Sequence, residues 1–394
     1  MDLTYPDDAE SFRLEIRAWL EANLPAGWFE PGFSLTSAER QSFNQTWNET
    51  LFSGGWICAG WPVDYGGKGL SLLQQVVLNE EFARAGAPMR ADFFGDTLVG
   101  PTILQWGTEE QKKEFIPGIL HGSITWCQGF SEPGSGSDLA SLQTRAIRDG
   151  DSYVVNGQKI WTSNAQRADY MILLARTDPD APKHRGISYF LLDMKLPGVT
   201  IRPLMQMTGQ AGFNEVYFDD VRIPANRVVG ELNRGWYVST ATLDFERSGI
   251  GRVIGGLHTY HDVVDYAKRT PSRNGGGSLF DVNSIRHQLA DVGLSFAVGR
   301  LLSYRVAWMQ SKSMVPNYEA SIAKVFGTEL HQRLARVAMT TLGMPGQLME
   351  GPNAPLDGAG AALYLSSVSV TVAAGTSEVN RNIIAQRGLG MPRG

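Results

Sequence analysis

The feature that most constrains this chain is a double change of periodicity. Apolar residues recur at helical spacing from Asp7 to His121, fall into short β-type runs separated by turns from Gly122 to about Leu232, and return to helical spacing from Gly235 onward. In the first stretch Phe12, Ile16, Trp19 and Leu20 share a helical pattern before Pro25. Ser71 opens a second segment carrying Leu72, Leu73, Val76, Val77 and Phe82, and Thr108-Glu109-Glu110-Gln111 is a capping box that starts a third. Gly54-Gly55-Trp56 and the run from Trp61 to Gly69 read as a packed aromatic and glycine loop. The β runs are Ile124–Phe130, Tyr153–Val155, Lys159–Thr162, Tyr170–Ala175, Ile187–Leu192, Val199–Ile201 and Glu215–Phe218, with Asn156-Gly157 expected as a hairpin turn. Later helices are expected near 235–269, 283–314, 316–342, 361–369 and 377–387.

Strands with no helices between them argue for an antiparallel sandwich or barrel, not a parallel α/β sheet. The expected fold class is therefore α+β and multidomain. It comprises an N-terminal α-helical domain (1–121), a central antiparallel β domain (122–232) and a C-terminal domain resembling a four-helix bundle (233–394). A length of 394 residues suits two or three domains at roughly 150 residues each.

Charge and cysteine content exclude several classes of function. Lys plus Arg number 35 against 40 Asp plus Glu, with no long run of either sign, so neither nucleic acid nor an anionic membrane surface is an expected partner. Cys58 and Cys127 cannot build a disulfide framework and suit buried, reduced thiols. The acidic start lacks an apolar signal core, and no apolar run approaches the ~20 residues of a membrane span, which predicts a soluble, cytoplasmic protein. There is no strand-to-helix G-x-G-x-x-G, no Walker lysine loop and no G-x-S-x-G elbow. Of six histidines only His258 and His261 form a near pair, without a carboxylate pattern, and no metal site is expected.

Three polar, glycine-containing segments remain. Phe130-Ser131-Glu132-Pro133-Gly134-Ser135-Gly136-Ser137-Asp138 follows a strand, and its glycines and hydroxyls suit close approach to an oxygen-rich ligand, though on composition alone a surface loop is the commoner outcome. Gln158 to Ala165 ends a strand with the aromatic plane of Trp161 beside hydroxyl and amide groups. Ala374-Gly375-Thr376-Ser377-Glu378 is a helix start whose amides suit an anion.

These segments, in this order, resemble the acyl-CoA dehydrogenase family of flavoproteins over nearly the whole chain, together with Phe218-Asp219-Asp220-Val221-Arg222-Ile223-Pro224. Lys183-His184-Arg185-Gly186-Ile187-Ser188 is similar to actinobacterial-type members that act on branched or sterol-derived acyl-CoAs. The resemblance implies FAD held by the β domain and the C-terminal helices. Gln128, Phe130, Ser131, Trp161 and Ser163 match isoalloxazine-side positions, Gly136 sits in the same cofactor-binding loop, and Thr376 and Glu378 match contacts to the dinucleotide. Ser137 matches a contact to the CoA part of the substrate.

The same resemblance implies desaturation of an acyl thioester, which requires a carboxylate near a water-poor site to take the Cα proton. Most members carry that carboxylate just before Gly-Thr-Ser, where this chain has Ala374. A minority carry it in a Leu-Asp-x-Glu-Arg segment, and here Leu243-Asp244-Phe245-Glu246-Arg247 gives Glu246 the role, with Asp244, Arg247, Ala374 and Gly375 toward the substrate. A methyl at position 374 leaves a wider pocket, which favours a branched or ring-bearing acyl group.

The family's usual contacts to a neighbouring subunit's flavin are altered. Arg273 and Asn283 stand in the corresponding region without the usual Phe, and of the Leu-Gly-Gly turn only Gly343 carries over. Implied partners are an acyl-CoA, an electron-transfer flavoprotein as acceptor, and further subunits in a homotetramer or an α2β2 heterotetramer. An oxygen-using flavoenzyme of the same fold and a non-catalytic subunit are the alternative readings.

Overall fold

The computed structural model describes residues 6–30, 33, 35–88, 92–244, 250–272 and 275–392. In chain order its helices and strands are α1 (Asp7–Asn23), α2 (Ser37–Ser53), α3 (Leu72–Ala85), α4 (Gly100–Trp106), α5 (Glu109–His121), β1 (Trp126–Gly129), β2 (Arg145–Asp149), β3 (Ser152–Ser163), β4 (Tyr170–Arg176), β5 (Ile187–Asp193), β6 (Val199–Leu204) and β7 (Phe213–Pro224). Helices α6 (Gly235–Asp244), α7 (Ile250–Ile254), α8 (Leu257–Arg269), α9 (Asn283–Ser311), α10 (Tyr318–Leu342), α11 (Ala359–Val370) and α12 (Ser377–Ile383) follow. Both predicted helix starts carry reciprocal capping boxes, Ser71 with Gln74 and Thr108 with Gln111. Among the described residues no helix is long and apolar enough to cross a membrane.

By packing, the chain resolves into two compact units, one of Ser37–Gly69 and Arg90–Glu246, the other of Met1–Thr36, Leu70–Met89 and Arg247–Gly394. The first holds a single seven-stranded sheet ordered β1-β4-β2-β3-β7-β6, with β5 on β4. Most pairs are antiparallel, as expected, but β4 runs parallel to β1 and meets the end of β2 in parallel. Cys127, Val155, Met171, Leu173, Phe190, Leu192, Val216, Val221 and Ile223 form the core beneath it. Cys58 and Cys127 are both buried thiols, neither in a disulfide.

Asn156-Gly157 is not a hairpin turn. Both residues lie inside β3, where the pairing with β7 slips between Val155 and Gly157, and the turn falls instead between β2 and β3 at Gly150, which has φ +57°. Asn156 is held by an amide exchange with Asp220, donating to its carboxylate at 3.0 Å and accepting from its backbone N–H at 3.0 Å. Gly157 is required for space, since a Cβ there would lie 2.6 Å from Thr144 Oγ1. A sequence dipeptide cannot register that neighbour. Strand β2 and helix α2 carry weak apolar periodicity and were not among the expected elements.

In the second unit α3, α7, α8, α9 and α10 enclose a core that includes Val253, Val263, Leu289, Val292, Phe296, Leu330 and Leu334. The helix expected over 235–269 is not continuous among the described residues. Gly255-Gly256 separates α7 from α8, and a Cβ on Gly256 would stand 3.0 Å from Leu334 Cδ2 on α10. Across α1 and α3, Glu81 accepts hydrogen bonds from Arg13, Arg17 and Arg84 at 2.9, 2.7 and 2.7 Å.

Candidate functional site

In the sheet unit the predicted residues cluster on β1, the following loop and the end of β3. Gln128 on β1 is half-buried, and its Nε2 is buried without a hydrogen-bond partner. Phe130 is buried edge-on to Tyr189, with ring centroids 6.3 Å apart. The carbonyl of Ser131 accepts the Ile160 N–H at 2.9 Å, which lays the loop along β3. Gly134 and Gly136 have ordinary φ angles, and a Cβ at either would meet nothing within 4 Å. Both glycines border open space, which leaves their backbone accessible to a ligand. Ser137 is exposed, and the neighbouring Asp138 pairs with Lys183 at 2.5 Å.

Trp161 is the unusual member. Its φ is +61°, strained for an aromatic residue, and it lies where the β3–β7 pairing slips between Lys159 and Thr162. Its ring remains 60% exposed, touching Phe213 edge-on at 6.3 Å. The slip turns Thr162 inward, where its Oγ1 is buried without a partner, and Ser163 pairs with Phe213 in the ladder.

Beneath this cluster lies a pair that sequence reading missed. Lys159 Nζ, fully buried, donates to Glu132 Oε1 at 2.8 Å and to the Phe130 carbonyl at 3.0 Å. Burial is the largest influence on Lys159 and draws it down to about 8, against an upward pull from Glu132. Burial pushes Glu132 up, but Lys159 and the amides it binds outweigh that, so its carboxyl stays below the usual range. In an alternating strand sequence a lysine reads as solvent-facing, which hid it.

In the helical unit Ala374 and Gly375 have φ of +53° and +82° and lead into α12. Thr376 caps α12 by accepting the Val379 N–H at 3.2 Å, and Ser377 Oγ is buried without a partner. Glu378 is exposed in the first turn and held below the ordinary carboxylate range, first by its own backbone N–H and then by Thr376. Asn283 opens α9 and accepts from Arg286 at 2.6 Å. Gly343, with φ +67°, ends α10. Asp244 closes α6, but its side chain, with Glu246, Arg247 and Arg273, lies outside the described residues. Among the described residues no group of three His, Cys, Asp or Glu could hold a metal ion, and His258 instead faces Asp262 at 3.6 Å, a carboxylate the spacing argument overlooked.

An exposed aromatic plane, an unpaired buried amide donor and open space along a glycine loop are what a planar, hydrogen-bonding cofactor needs. The comparison with known proteins agrees with that chemistry. Residues 6–123, 127–221 and 233–389 match the N-terminal, middle and C-terminal domains of acyl-CoA dehydrogenase, respectively. Acyl-CoA dehydrogenase IpdE1 of Mycobacterium tuberculosis is 41% identical over 392 residues, covering 98% of each chain.

The chain belongs to the acyl-CoA dehydrogenase family.

Family members are flavin-dependent oxidoreductases of three-domain architecture, with a helical N-terminal part, a central sheet and a helical C-terminal part. Acyl-CoA dehydrogenase FadE26 of M. tuberculosis is 37% identical, covering 100% of this chain and 99% of its own. Among solved structures, a chain of the Tcur3481-Tcur3483 steroid ACAD is 37% identical with a TM-score of 0.86, and covers all of both chains. A chain of the ChsE4-ChsE5 complex from M. tuberculosis gives the same identity, TM-score and coverage.

Proposed function

We propose that this acyl-CoA dehydrogenase family member binds FAD and introduces an α,β double bond into a branched or bulky acyl-CoA, with a steroid side chain as the leading substrate class. When bound, FAD supplies an acceptor at N5 for the hydride that leaves Cβ. Glu246 takes the Cα proton. Ala374 has no group that accepts one, so the base must stand elsewhere, and the Leu243-Asp244-Phe245-Glu246-Arg247 segment provides the carboxylate. Trp161 shields one side of the isoalloxazine from water, and Gln128 donates its unpaired Nε2–H. Ser131, Gly136 and Ser163 complete that side. Thr376 and Glu378 serve the dinucleotide, Arg273, Asn283 and Gly343 stand where the family reaches a neighbouring subunit's flavin, and Ser137, Asp244, Arg247, Ala374 and Gly375 serve the substrate. The domain limits follow the change of periodicity, at 121/122 and 232/233.

The observation that carries the cofactor reading is Trp161, an aromatic residue held at φ +61° with its ring exposed. Such strain persists where surrounding structure imposes it, and it concentrates at ligand sites. The substrate class is supported by the full-length likeness to a steroid ACAD and by the methyl of Ala374 where a carboxylate usually stands.

Assembly with further subunits is part of the proposal. Leu294, Val298, Leu301 and Trp308 lie at coiled-coil-like spacing on α9 with their side chains exposed, an apolar stripe suited to burial against another chain. A homotetramer and an α2β2 heterotetramer both fit, and the two-chain steroid ACAD and ChsE4-ChsE5 complexes support the second. Electrons then pass to an electron-transfer flavoprotein.

One experiment tests cofactor, reaction and substrate class together: an anaerobic absorbance scan of purified protein against straight, branched and steroid-side-chain acyl-CoAs. Bleaching of the flavin band by the bulky substrates, with slow recovery in air, is expected. A colourless protein that takes up no FAD would assign a non-catalytic subunit, and rapid recovery in air would assign an oxygen-using enzyme.

A further inference from the structure

We propose that Lys159 is a positioning residue, holding the 130–144 loop on β3 in the register that presents Phe130 and Ser131, with Trp161, to the flavin. The proposal rests on the flavin reading above. Lys159 is 0% exposed, and its two hydrogen bonds go to the Phe130 carbonyl at 3.0 Å and to Glu132 Oε1 at 2.8 Å. Glu132 then binds the far end of the same loop, accepting the N–H of Gln143 at 2.6 Å and of Thr144 at 2.9 Å. One carboxylate thus closes the loop, and one ammonium fixes it to the sheet. The backbone adds Ile160 N–H to the Ser131 carbonyl at 2.9 Å, and the Thr144 hydroxyl donates to the Gln158 carbonyl at 3.3 Å. All of these anchors on β3 fall within three residues of Trp161.

A buried ion pair is a costly way to hold a loop, because an apolar pair of similar volume packs without desolvating two charges. What the ammonium supplies and an apolar contact does not is direction toward one chosen carbonyl, that of Phe130. The charged groups that face it are Glu132 from the loop and Arg176 from β4.

This placement has a signature in pH. Burial brings the folded lysine to about 8 from an ordinary 10.5, so between those values the unfolded chain holds more protons and this group's contribution to stability rises with pH. Alkaline unfolding through Lys159 is excluded by that sign. Loss of its charge weakens the hold on Phe130 and Glu132 instead, so flavin affinity falls across a window in which the fold stays intact.

The test adds FAD to flavin-free protein and reads quenching of flavin fluorescence from about pH 6.5 to about pH 9.5, with far-ultraviolet circular dichroism in parallel. The variant is Lys159→Met combined with Glu132→Gln, which removes both buried charges together. For the natural protein the Kd for FAD is expected to rise at least roughly tenfold through about pH 8 with an unchanged dichroism spectrum. The double variant is expected to bind at least roughly tenfold more weakly at neutral pH and to lack the pH step. A flat pH profile in the natural protein, or natural affinity in the variant, overturns the proposal. If the variant does not fold, the natural protein's pH profile decides alone. Failure of the natural protein to bind FAD at any pH refutes the flavin reading itself and takes this proposal with it.

Discussion

Trp161 can be tested by a comparison in which the usual order of glycine and alanine reverses. Trp161→Ala and Trp161→Gly remove the same indole and the same edge contact with Phe213, so lost packing cancels between them. What remains is the backbone. At φ +61° a residue with a Cβ carries roughly 1–2 kcal/mol of left-handed strain, which glycine does not. Glycine loses more chain entropy on folding, a disadvantage of roughly 0.5–1 kcal/mol. The difference leaves the Gly variant more stable than the Ala variant by up to about 1.5 kcal/mol, or at most roughly 3–6 °C in Tm for a cooperative unit of 150–250 residues. Thermal denaturation of the flavin-free proteins by circular dichroism measures it. At an ordinary strand position the order is the opposite, so an Ala variant that melts higher than the Gly variant would refute the left-handed strain. Flavin affinity supplies the functional half. Both variants should bind FAD at least roughly tenfold more weakly, the loss of a stacking partner of about 1.4 kcal/mol, and natural affinity in both would remove Trp161 from the cofactor site.

Three further outcomes are expected. Glu246→Gln should retain FAD while losing bleaching by acyl-CoA, and near-normal bleaching in a stopped-flow trace would remove Glu246 as the base. Glu81, 1% exposed, has burial as its largest influence, acting upward, but the guanidiniums of Arg17, Arg13 and Arg84 bring it to about 2 from 4.5. Its stabilisation is therefore fully present above about pH 4.5 and lost as pH falls toward 2, amounting to at most about 3 kcal/mol because Arg17 and Arg84 are partly solvent-screened. Denaturant titrations of the natural protein and Glu81→Gln should converge as pH falls through that window, and a gap that stays constant contradicts the linkage. Gly157→Ala, forcing a Cβ to 2.6 Å from Thr144 Oγ1, should cost about 1–3 kcal/mol, whereas Gly136→Ala should melt within about 0.5 kcal/mol of the natural protein. Equal effects would show that the two glycines do not differ as described.

Much of this protein is local and therefore legible. The capping box at Thr108 is satisfied within a few residues of chain and forms as read, and the helix start read at Ser71 carries a capping box as well. Strands such as Tyr170–Arg176 and Ile187–Asp193 are buried along almost their whole length, so their apolar runs identify them. The errors lie where a distant neighbour decides. Asn156-Gly157 has the composition of a hairpin, yet Asp220 and Thr144 turn it into an irregularity within one strand. Of the candidate site, the segments around Ser131, Trp161 and Thr376 were recognisable as a set because their order along the chain matches the family. Gln128 as an unpaired donor was visible only after folding.

By itself the sequence determined the helical, β and helical order, the exclusion of several catalytic classes, the family, and the absence of a carboxylate at position 374. These follow from periodicity and from residue identity, both of which are read along one dimension. Tertiary structure decided which backbone is strained and which polar groups lose water. Trp161 reaches φ +61° because β3 and β7 slip past one another, and Lys159 is buried because the loop after Phe130 folds over it. Desolvation and strain depend on neighbours far apart in the chain, and only the fold brings those neighbours together.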